Sequence, residues 1–369
     1  VTAVAVLFGG PSPEHDVSVL TGLQAARQLA SGPDPVRALY WSKAGEFSEV
    51  DPALEAEAFV TGAPRGATPL RLVAGGGFSA EGGRFGRPRS ADLDVVVVCC
   101  HGGPGEDGTL QAALDLAQLA YTGPGVAGAA LGMDKLAFAG VLGAAGLPVL
   151  PRVLLGPAGP DPDFSGPYIV KPRFGGSSIG IEVVADVGAA RALAASSVHL
   201  RAGAVLEPYR PDLVDLQVGV RTFPELAVST VERPLRSSGG GVEGGILGYA
   251  DKYVGGEGMA SAPRDLPANI PPETTARIGE LARAVAALCS VRGVARVDFL
   301  GRTDGGELVV NEINTIPGSL ARYLWDVPFG TLLADLMAEA RARPTHAYSA
   351  AGADGTVLRG AAAIAAKLA

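Results

Sequence analysis

The chain opens with a continuous β-branched apolar run, residues 1–8, which Gly9-Gly10-Pro11 turns before apolar positions resume at helical spacing over 17–29. An unbroken apolar run reads as a strand buried on both faces and a 3.6-residue period as a helix, so the start is a strand-loop-helix unit. The same order recurs at 94–100, followed by the loop His101-Gly102-Gly103-Pro104-Gly105-Glu106-Asp107-Gly108 and a helix predicted over 109–119. Two such units predict a parallel, doubly wound first domain, with ligands beyond the carboxyl ends of the strands, where both loops lie. Between the units, residues 31–93 are rich in Gly, Pro and short polar clusters, and only short strands near 36–40 and 70–73 stand out.

Past Tyr121-Thr122-Gly123 come an Ala/Gly-rich helical stretch, a Pro/Gly/Asp linker at 156–167 and a strand at 168–172. A further strand starts at 204, and a glycine-rich loop follows at 237–248. A helix is predicted at 272–288 and a hairpin at 293–316, with a helix at 329–343 closing this last region. The expected domains are therefore 1–123, 124–206 and 207–369. No internal repeat is visible, and the Ala-rich tail after Tyr348 has no assigned role.

Length agrees: 369 residues at roughly 150 per domain make two to three domains, enough for a cleft between lobes. With 47% hydrophobic and 18% charged residues, and 52 Gly plus 28 Pro without a collagen period, the chain is expected to fold. Acidic residues exceed basic by 38 to 30 and no dense Lys/Arg block occurs, which argues against nucleic acid as a partner. Three cysteines, two of them adjacent at Cys99 and Cys100, cannot make a paired framework and point to a reducing, cytoplasmic compartment. The longest apolar stretch, 126–150, is broken by Asp134 and Lys135, and the N-terminus has no signal-peptide pattern, so neither membrane insertion nor export is expected.

Only five lysines stand against twenty-five arginines, so a lysine marks a place that wants a compact point charge. Lys171 ends an apolar strand and precedes the loop Pro172-Arg173-Phe174-Gly175-Gly176-Ser177-Ser178-Ile179-Gly180-Ile181, whose backbone NH groups can cradle phosphate oxygens. A Walker loop is excluded, because there the lysine follows the glycines and a helix comes next. An ordinary Gly-rich hairpin is the plain alternative. In the hairpin, Arg296 and Asp298 alternate onto one strand face and Glu312 and Asn314 onto another. Two carboxylates and an amide among apolar neighbours are hard oxygen donors suited to magnesium shared with substrate phosphates, a solvated face paired by Arg296 being the alternative. The stretch before Lys252-Tyr253 suits either a mobile lid, with Lys252 reaching a terminal phosphate, or a simple surface loop. Glu207 could accept from an adenine amino group and Asp215 from ribose hydroxyls. Glu14, His15 and His101 sit in loops after strands, where a histidine serves either as a structural or as a catalytic group.

Taken in order, these segments resemble the D-alanine:D-alanine ligase family of the ATP-grasp superfamily. The resemblance rests on Gly9-Gly10 with Glu14-His15-Asp16-Val17-Ser18, His101-Gly102-Gly103 with Glu106-Asp107-Gly108-Thr109-Leu110-Gln111, and Met133-Asp134-Lys135. It continues through Lys171-Pro172 with Gly176-Ser177-Ser178-Ile179-Gly180, Asp251-Lys252-Tyr253, Arg296-Val297-Asp298 and Asn311-Glu312-Ile313-Asn314-Thr315-Ile316-Pro317-Gly318, spanning nearly the whole chain.

The resemblance implies an ATP-grasp fold: an N-terminal, doubly wound substrate-binding α/β domain, a small central α+β domain with the phosphate loop, and a larger C-terminal α+β domain with lid and metal site. It implies an ATP-dependent ligase that joins two D-amino acids through an acyl phosphate for peptidoglycan precursors, as a homodimer. Lys135, Lys171 and Lys252 would neutralise phosphates, with Gly176, Ser178, Glu207 and Asp215 completing the nucleotide site. Asp298, Glu312 and Asn314 would hold two Mg2+ ions, Mn2+ being a substitute. Arg296 and the NH of Gly318 would face the tetrahedral oxyanion, Glu14 would take the first substrate's ammonium with His101 nearby, and Glu14, Ser177 and Tyr253 would latch the lid.

The chain departs from the family at three places. Tyr323 stands where a serine usually grips the second substrate's carboxylate, with Arg322 a candidate replacement; Gly175 lacks an acid; and Pro208 follows Glu207 where lysine is frequent. The alternative is therefore a related ligase with a different second substrate, in specialised metabolism. A binding protein that makes no bond would lack the metal ligands or lid lysine, both present here. A dehydrogenase would need a G-x-G-x-x-G spacing that Gly9-Gly10-Pro11-Ser12-Pro13-Glu14 does not provide.

Overall fold

The computed structural model describes residues 3–80, 89–156, 159–235, 263–346 and 348–359. In chain order its first part runs β1 (Ala3–Gly9), α1 (His15–Ala30), β2 (Val36–Trp41), β3 (Phe47–Val50), β4 (Thr68–Val73), β5 (Gly77–Ala80), β6 (Arg89–Ser90), β7 (Leu93–Val98) and α2 (Thr109–Leu116). All seven residues of β1 are buried, as an unbroken apolar run in mid-sheet requires. The sheet order is β6-β5-β4-β3-β2-β1-β7. β1 pairs in parallel with β2 and β7, and β2 through β6 extend the sheet as an antiparallel meander. The two strand-loop-helix units thus form the parallel part, and the Gly/Pro-rich stretch between them supplies the antiparallel part, where the short β2–β3 and β4–β5 connections permit only that pairing.

A second part follows with α3 (Val126–Met133), α4 (Lys135–Ala144), β8 (Val153–Leu155), β9 (Tyr168–Pro172), β10 (Glu182–Val184), α5 (Val187–Ser196) and β11 (Ala204–Pro208), its four-stranded sheet ordered β10-β9-β11-β8 and antiparallel throughout. Asp134 caps α4, accepting from the NH groups of Leu136 and Ala137 at 3.1 Å, and this puts Lys135 at the first helical position. The third part contains β12 (Val214–Arg221), β13 (Ala227–Val228), β14 (Arg233–Pro234), β15 (Arg264–Asp265), α6 (Pro272–Leu288), β16 (Val294–Gly301) and β17 (Leu308–Asn314). Its main sheet, β13-β12-β16-β17, is covered by α6 through Ile278, Leu281, Ala282 and Val285.

The last long helix, α7 (Phe329–Ala342), departs from the sequence expectation. Instead of closing the third region it buries Leu332, Leu333, Leu336, Met337 and Ala340 in the core of the first domain. Spacings of one, four, five and eight residues make one apolar stripe, and burying each large side chain stabilises by about 1.5–3 kcal/mol. The chain therefore crosses from the end of β17 back over the first sheet, and that crossing matters for the site.

Candidate active site

The β16–β17 hairpin carries the acidic wall. Arg296 lies opposite Asn314 and Asp298 opposite Glu312, with a register irregularity just after Asp298. Such an irregularity bends the strand and re-aims its side chains. The guanidinium of Arg296 grips Asp298 in a fork, Nε to Oδ1 at 2.7 Å and the terminal nitrogen to Oδ2 at 2.8 Å, and Asn314 Nδ2 donates to the same Oδ2 at 3.1 Å. The alternation predicted from sequence thus brings all four groups together. Among the described residues no group of three or more His, Cys, Asp or Glu side chains is arranged to hold a metal ion by itself. Two carboxylates and an amide oxygen form a partial set of hard donors, which fits a divalent ion whose remaining ligands come from phosphate.

The opposite wall takes its cations from two elements, β9 and α4. Lys171, on β9, donates Nζ to Glu207 Oε2 at 2.9 Å and to Asn311 Oδ1 at 3.3 Å. Lys135, at the start of α4, donates to the Gly175 carbonyl and stands 4.0 Å from Glu312 Oε2. Burial lowers the Lys135 ammonium below its ordinary pKa, and Glu312 counters in part. Glu207 is fully buried. Burial alone would raise its carboxyl, but Arg152 first and Lys171 next outweigh this and hold it below the ordinary value.

Between the walls lies a solvent-open cleft of about 960 Å³. Lys135, Lys171, Gly176 and Ser178 line one side, Asp215, Asp298 and Glu312 the other, and Glu207 also borders it. A smaller cavity of about 360 Å³ adjoins it, lined by Glu14, Glu106 and Asn314 and sharing Lys135, Gly176 and Glu312 with the cleft. The loop between them is strained in a way that serves its position. Ser177 and Ser178 adopt left-handed φ of 52° and 58°, values that non-glycine residues take at a cost of order 1–3 kcal/mol and mostly at functional sites. Ser177 Oγ donates to Glu14 Oε1 across 163 residues. A Cβ at Gly176 would meet Glu14 Oε2 at 2.7 Å and push that carboxylate aside, so the glycine leaves room for the Glu14–Ser177 contact.

A third group of polar side chains joins the first domain to the segment after β17. Ile316 O can only accept, so His101, 2.7 Å away at Nδ1, carries its proton there; Nε2 then accepts from Thr21 Oγ1 at 2.8 Å, which in turn accepts from the NH of Ser319 at 3.1 Å. Neutral imidazole satisfies every partner, and burial depresses the His101 pKa to about 4. Beside it Glu106 accepts from the NH groups of Gly102 and Ile316 at 3.0 and 2.9 Å and from Thr315 Oγ1 at 3.2 Å. Burial, helped by the nearby Glu14, raises the Glu106 carboxyl to about 7. These contacts anchor Gly318, after which Ser319, Leu320 and Ala321 run in left-handed backbone with φ of 50–51°.

Lys252 and Tyr253 fall outside the described residues. Arg322 stacks over the Phe329 ring at 5.4 Å. The phenol oxygen of Tyr323 is buried beside Arg296 without an aligned hydrogen bond, burial raises its pKa to about 12, and Arg264 lies over its ring at 4.5 Å. Sequence reasoning missed Arg152 and Thr21 as parts of the site and quoted Glu106 only as part of a motif. Arg152 had one visible signal, a charged residue between Pro151 and an apolar strand; Thr21 had none.

A lysine-bearing wall and a carboxylate wall facing each other between two small antiparallel sheets, with an α/β domain behind, make up an ATP-grasp fold. The family model described as D-ala D-ala ligase N-terminus matches residues 3–124, and that described as D-ala D-ala ligase C-terminus matches 162–324. The chain is 34% identical to a D-alanine--D-alanine ligase of Methylobacterium sp. (strain 4-46), over 94% of this chain and 93% of that protein. It is also 34% identical to one of Mycolicibacterium smegmatis, over 93% and 96%. The solved D-alanine-D-alanine ligase from Coxiella burnetii superposes with a TM-score of 0.73 at 23% identity, covering 93% of this chain and 94% of that one, and so supports the fold. VanG D-Ala:D-Ser ligase from Enterococcus faecalis gives 0.70 at 25% identity, covering 92% and 99%. The chain belongs to the D-alanine–D-alanine ligase family, whose members are ATP-dependent ligases.

Proposed function

We propose that this protein joins two D-amino acids at the expense of ATP, D-alanine to D-alanine in the simplest case, to supply peptidoglycan precursors in the cytoplasm, and that it acts as a homodimer. The observation that carries the reading is the pair of adjoining cavities sharing Lys135, Gly176 and Glu312. A triphosphate in the larger cavity would present its terminal phosphate where a small acid, held by its ammonium on Glu14, sits in the smaller one. The carboxylate oxygen of that acid attacks the terminal phosphorus, the bond to the bridging oxygen breaks, and ADP leaves an acyl phosphate. The amine of the second substrate then attacks the acyl carbon, gives up a proton, and displaces inorganic phosphate to leave the amide.

The chain's own groups fit these steps. Lys135 and Lys171, with Lys252 from the segment outside the described residues, offset the triphosphate's charge, so the carboxylate approaches a less repulsive centre. Gly176 and Ser178 border the phosphates, Asp215 suits ribose hydroxyls, and Glu207, with two of its roughly four acceptor positions taken by cations, retains capacity for an adenine amino group. Asp298, Glu312 and Asn314 would hold two magnesium ions, or manganese in their place, which when bound neutralise developing phosphate charge. Arg296 and the NH of Gly318 face the oxyanion. Ser177 holds Glu14 in place, with Tyr253 as the third member of that set, and His101 positions the loop rather than moving a proton.

A second reading is favoured by Tyr323. A phenol at the acceptor side, buried beside Arg296 and under Arg264, supports an acceptor other than D-alanine, in specialised metabolism. Phosphate release with ATP, Mg2+ and D-alanine alone, with D-alanyl-D-alanine identified by mass, tests the first reading. Release only when a second amino acid is added moves the assignment to the second, and no release with any D-amino acid pair rejects both.

A further inference from the structure

We propose that Arg152 is a positioning residue of the phosphate site, which pairs with Glu207 so that the charge of Lys171 remains available to the nucleotide. The inference rests on the reading of the cleft as a nucleotide site. Arg152 stands immediately before β8, and its side chain is 2% exposed. Its Nε forms an ion pair with Glu207 Oε1 at 2.8 Å, though not an aligned hydrogen bond, while Lys171 Nζ takes Oε2 at 2.9 Å. One buried carboxylate is thus shared by two cations.

The charge count makes the consequence plain. Lys171 and Glu207 alone would sum to zero, and a neutral pair at the cleft exerts little pull on a triphosphate. With Arg152 the triad carries one net positive charge; Lys171 and Glu207 line the cleft, and Arg152 stands behind them. The guanidinium is aimed by its other nitrogens. One donates to the Lys135 carbonyl at 3.0 Å, the other to Asn311 O at 2.5 Å and Oδ1 at 3.2 Å. These acceptors belong to the start of α4 and to β17, so a single side chain ties both walls of the cleft to Glu207. A lysine could bring the charge but not the fork.

The test is calorimetric titration of the whole protein with ATP and Mg2+. Arg152→Met should weaken ATP binding about 10- to 100-fold, the worth of one charged hydrogen bond, and Arg152→Lys should fall between it and the wild type. Adding Glu207→Gln to Arg152→Met removes the anion that would otherwise cancel Lys171, keeps an amide oxygen able to accept from the adenine amino group, and should restore most of the loss. A residue that served packing alone could not give that sign: its double variant would bind more weakly still. Wild-type affinity in Arg152→Met, or no restoration in the double variant, overturns the proposal. Should Arg152→Met fail to fold, the double variant leaves no buried carboxylate short of a partner and is compared with the wild type; affinity within about tenfold supports the proposal and a larger gap overturns it. A wild-type protein that binds no ATP at all defeats the nucleotide reading, and this inference with it.

Discussion

The β16–β17 hairpin and the corner around His101 both bury charged or titratable groups, but they assemble them from different distances along the chain. In the hairpin, Arg296 meets Asp298 two residues away and Asn314 meets Asp298 sixteen away. In the corner, Glu106 reaches Thr315 and Ile316 across 209 and 210 residues, and His101 reaches Ile316 across 215. The hairpin pairs Arg296 with Asp298 along one strand and sets Asp298 opposite Glu312 across the ladder, so a guanidinium and two carboxylates share one small area. The corner leaves a carboxyl and an imidazole largely to backbone partners, and burial drives both toward their neutral forms. Short sequence separations thus build the carboxylate wall, and long ones build the docking corner, where burial favours the neutral forms.

The largest effect should come from the hairpin. Asp298→Asn or Glu312→Gln should lower turnover about 10²- to 10³-fold, about 3–4 kcal/mol of barrier, with a small change in unfolding, since volume is kept and a charge is lost. Phosphate release at saturating Mg2+ beside thermal unfolding checks this, and unchanged turnover would remove the distinction between the two regions.

The corner should answer in stability instead. Glu106 titrates near 7 when folded against an ordinary 4.5, so below 4.5 its contribution is fully present and it is lost as pH rises toward 7. His101 runs the other way, near 4 when folded against an ordinary 6.5, so its contribution is present above 6.5 and lost as pH falls toward 4. Each span corresponds to up to about 3 kcal/mol, and over the shared window the slopes nearly cancel. Glu106→Gln should therefore expose stability that falls on acidification, and His101→Gln stability that falls as pH rises. Denaturant unfolding between those limits measures both, and parallel slopes in the two variants would contradict the assignment.

The smallest effect belongs to Thr21. Thr21→Val keeps the shape but deprives His101 Nε2 and the NH of Ser319 of their partner, for a cost of about 1–3 kcal/mol in stability. If Gly318 is anchored through this hydroxyl, the rate of amide formation should fall more than ATP affinity, and an equal fall in both would uncouple the corner from the chemistry.

Much of this was legible in the sequence for a definable reason. Strand alternation put Arg296 with Asp298 and Glu312 with Asn314, and the pairing register then joined the two sets. The helix at 272–288 was readable from its apolar period. The antiparallel meander beside β2 was not, because its strands are short and lie among Gly/Pro-rich connections, and α7 gave no sign of which domain its apolar stripe would cover.

By itself, then, the sequence determined what repeats over a few residues: strands, helices, the order of the chemical segments and which side chains share a strand face. Tertiary structure alone decided that Arg152 shares Glu207 with Lys171, and that Thr21 and His101 hold the segment leading to Gly318. Periodicity encodes orientation relative to a local axis, whereas these contacts depend on how separately folded layers dock, which no short window of residues contains.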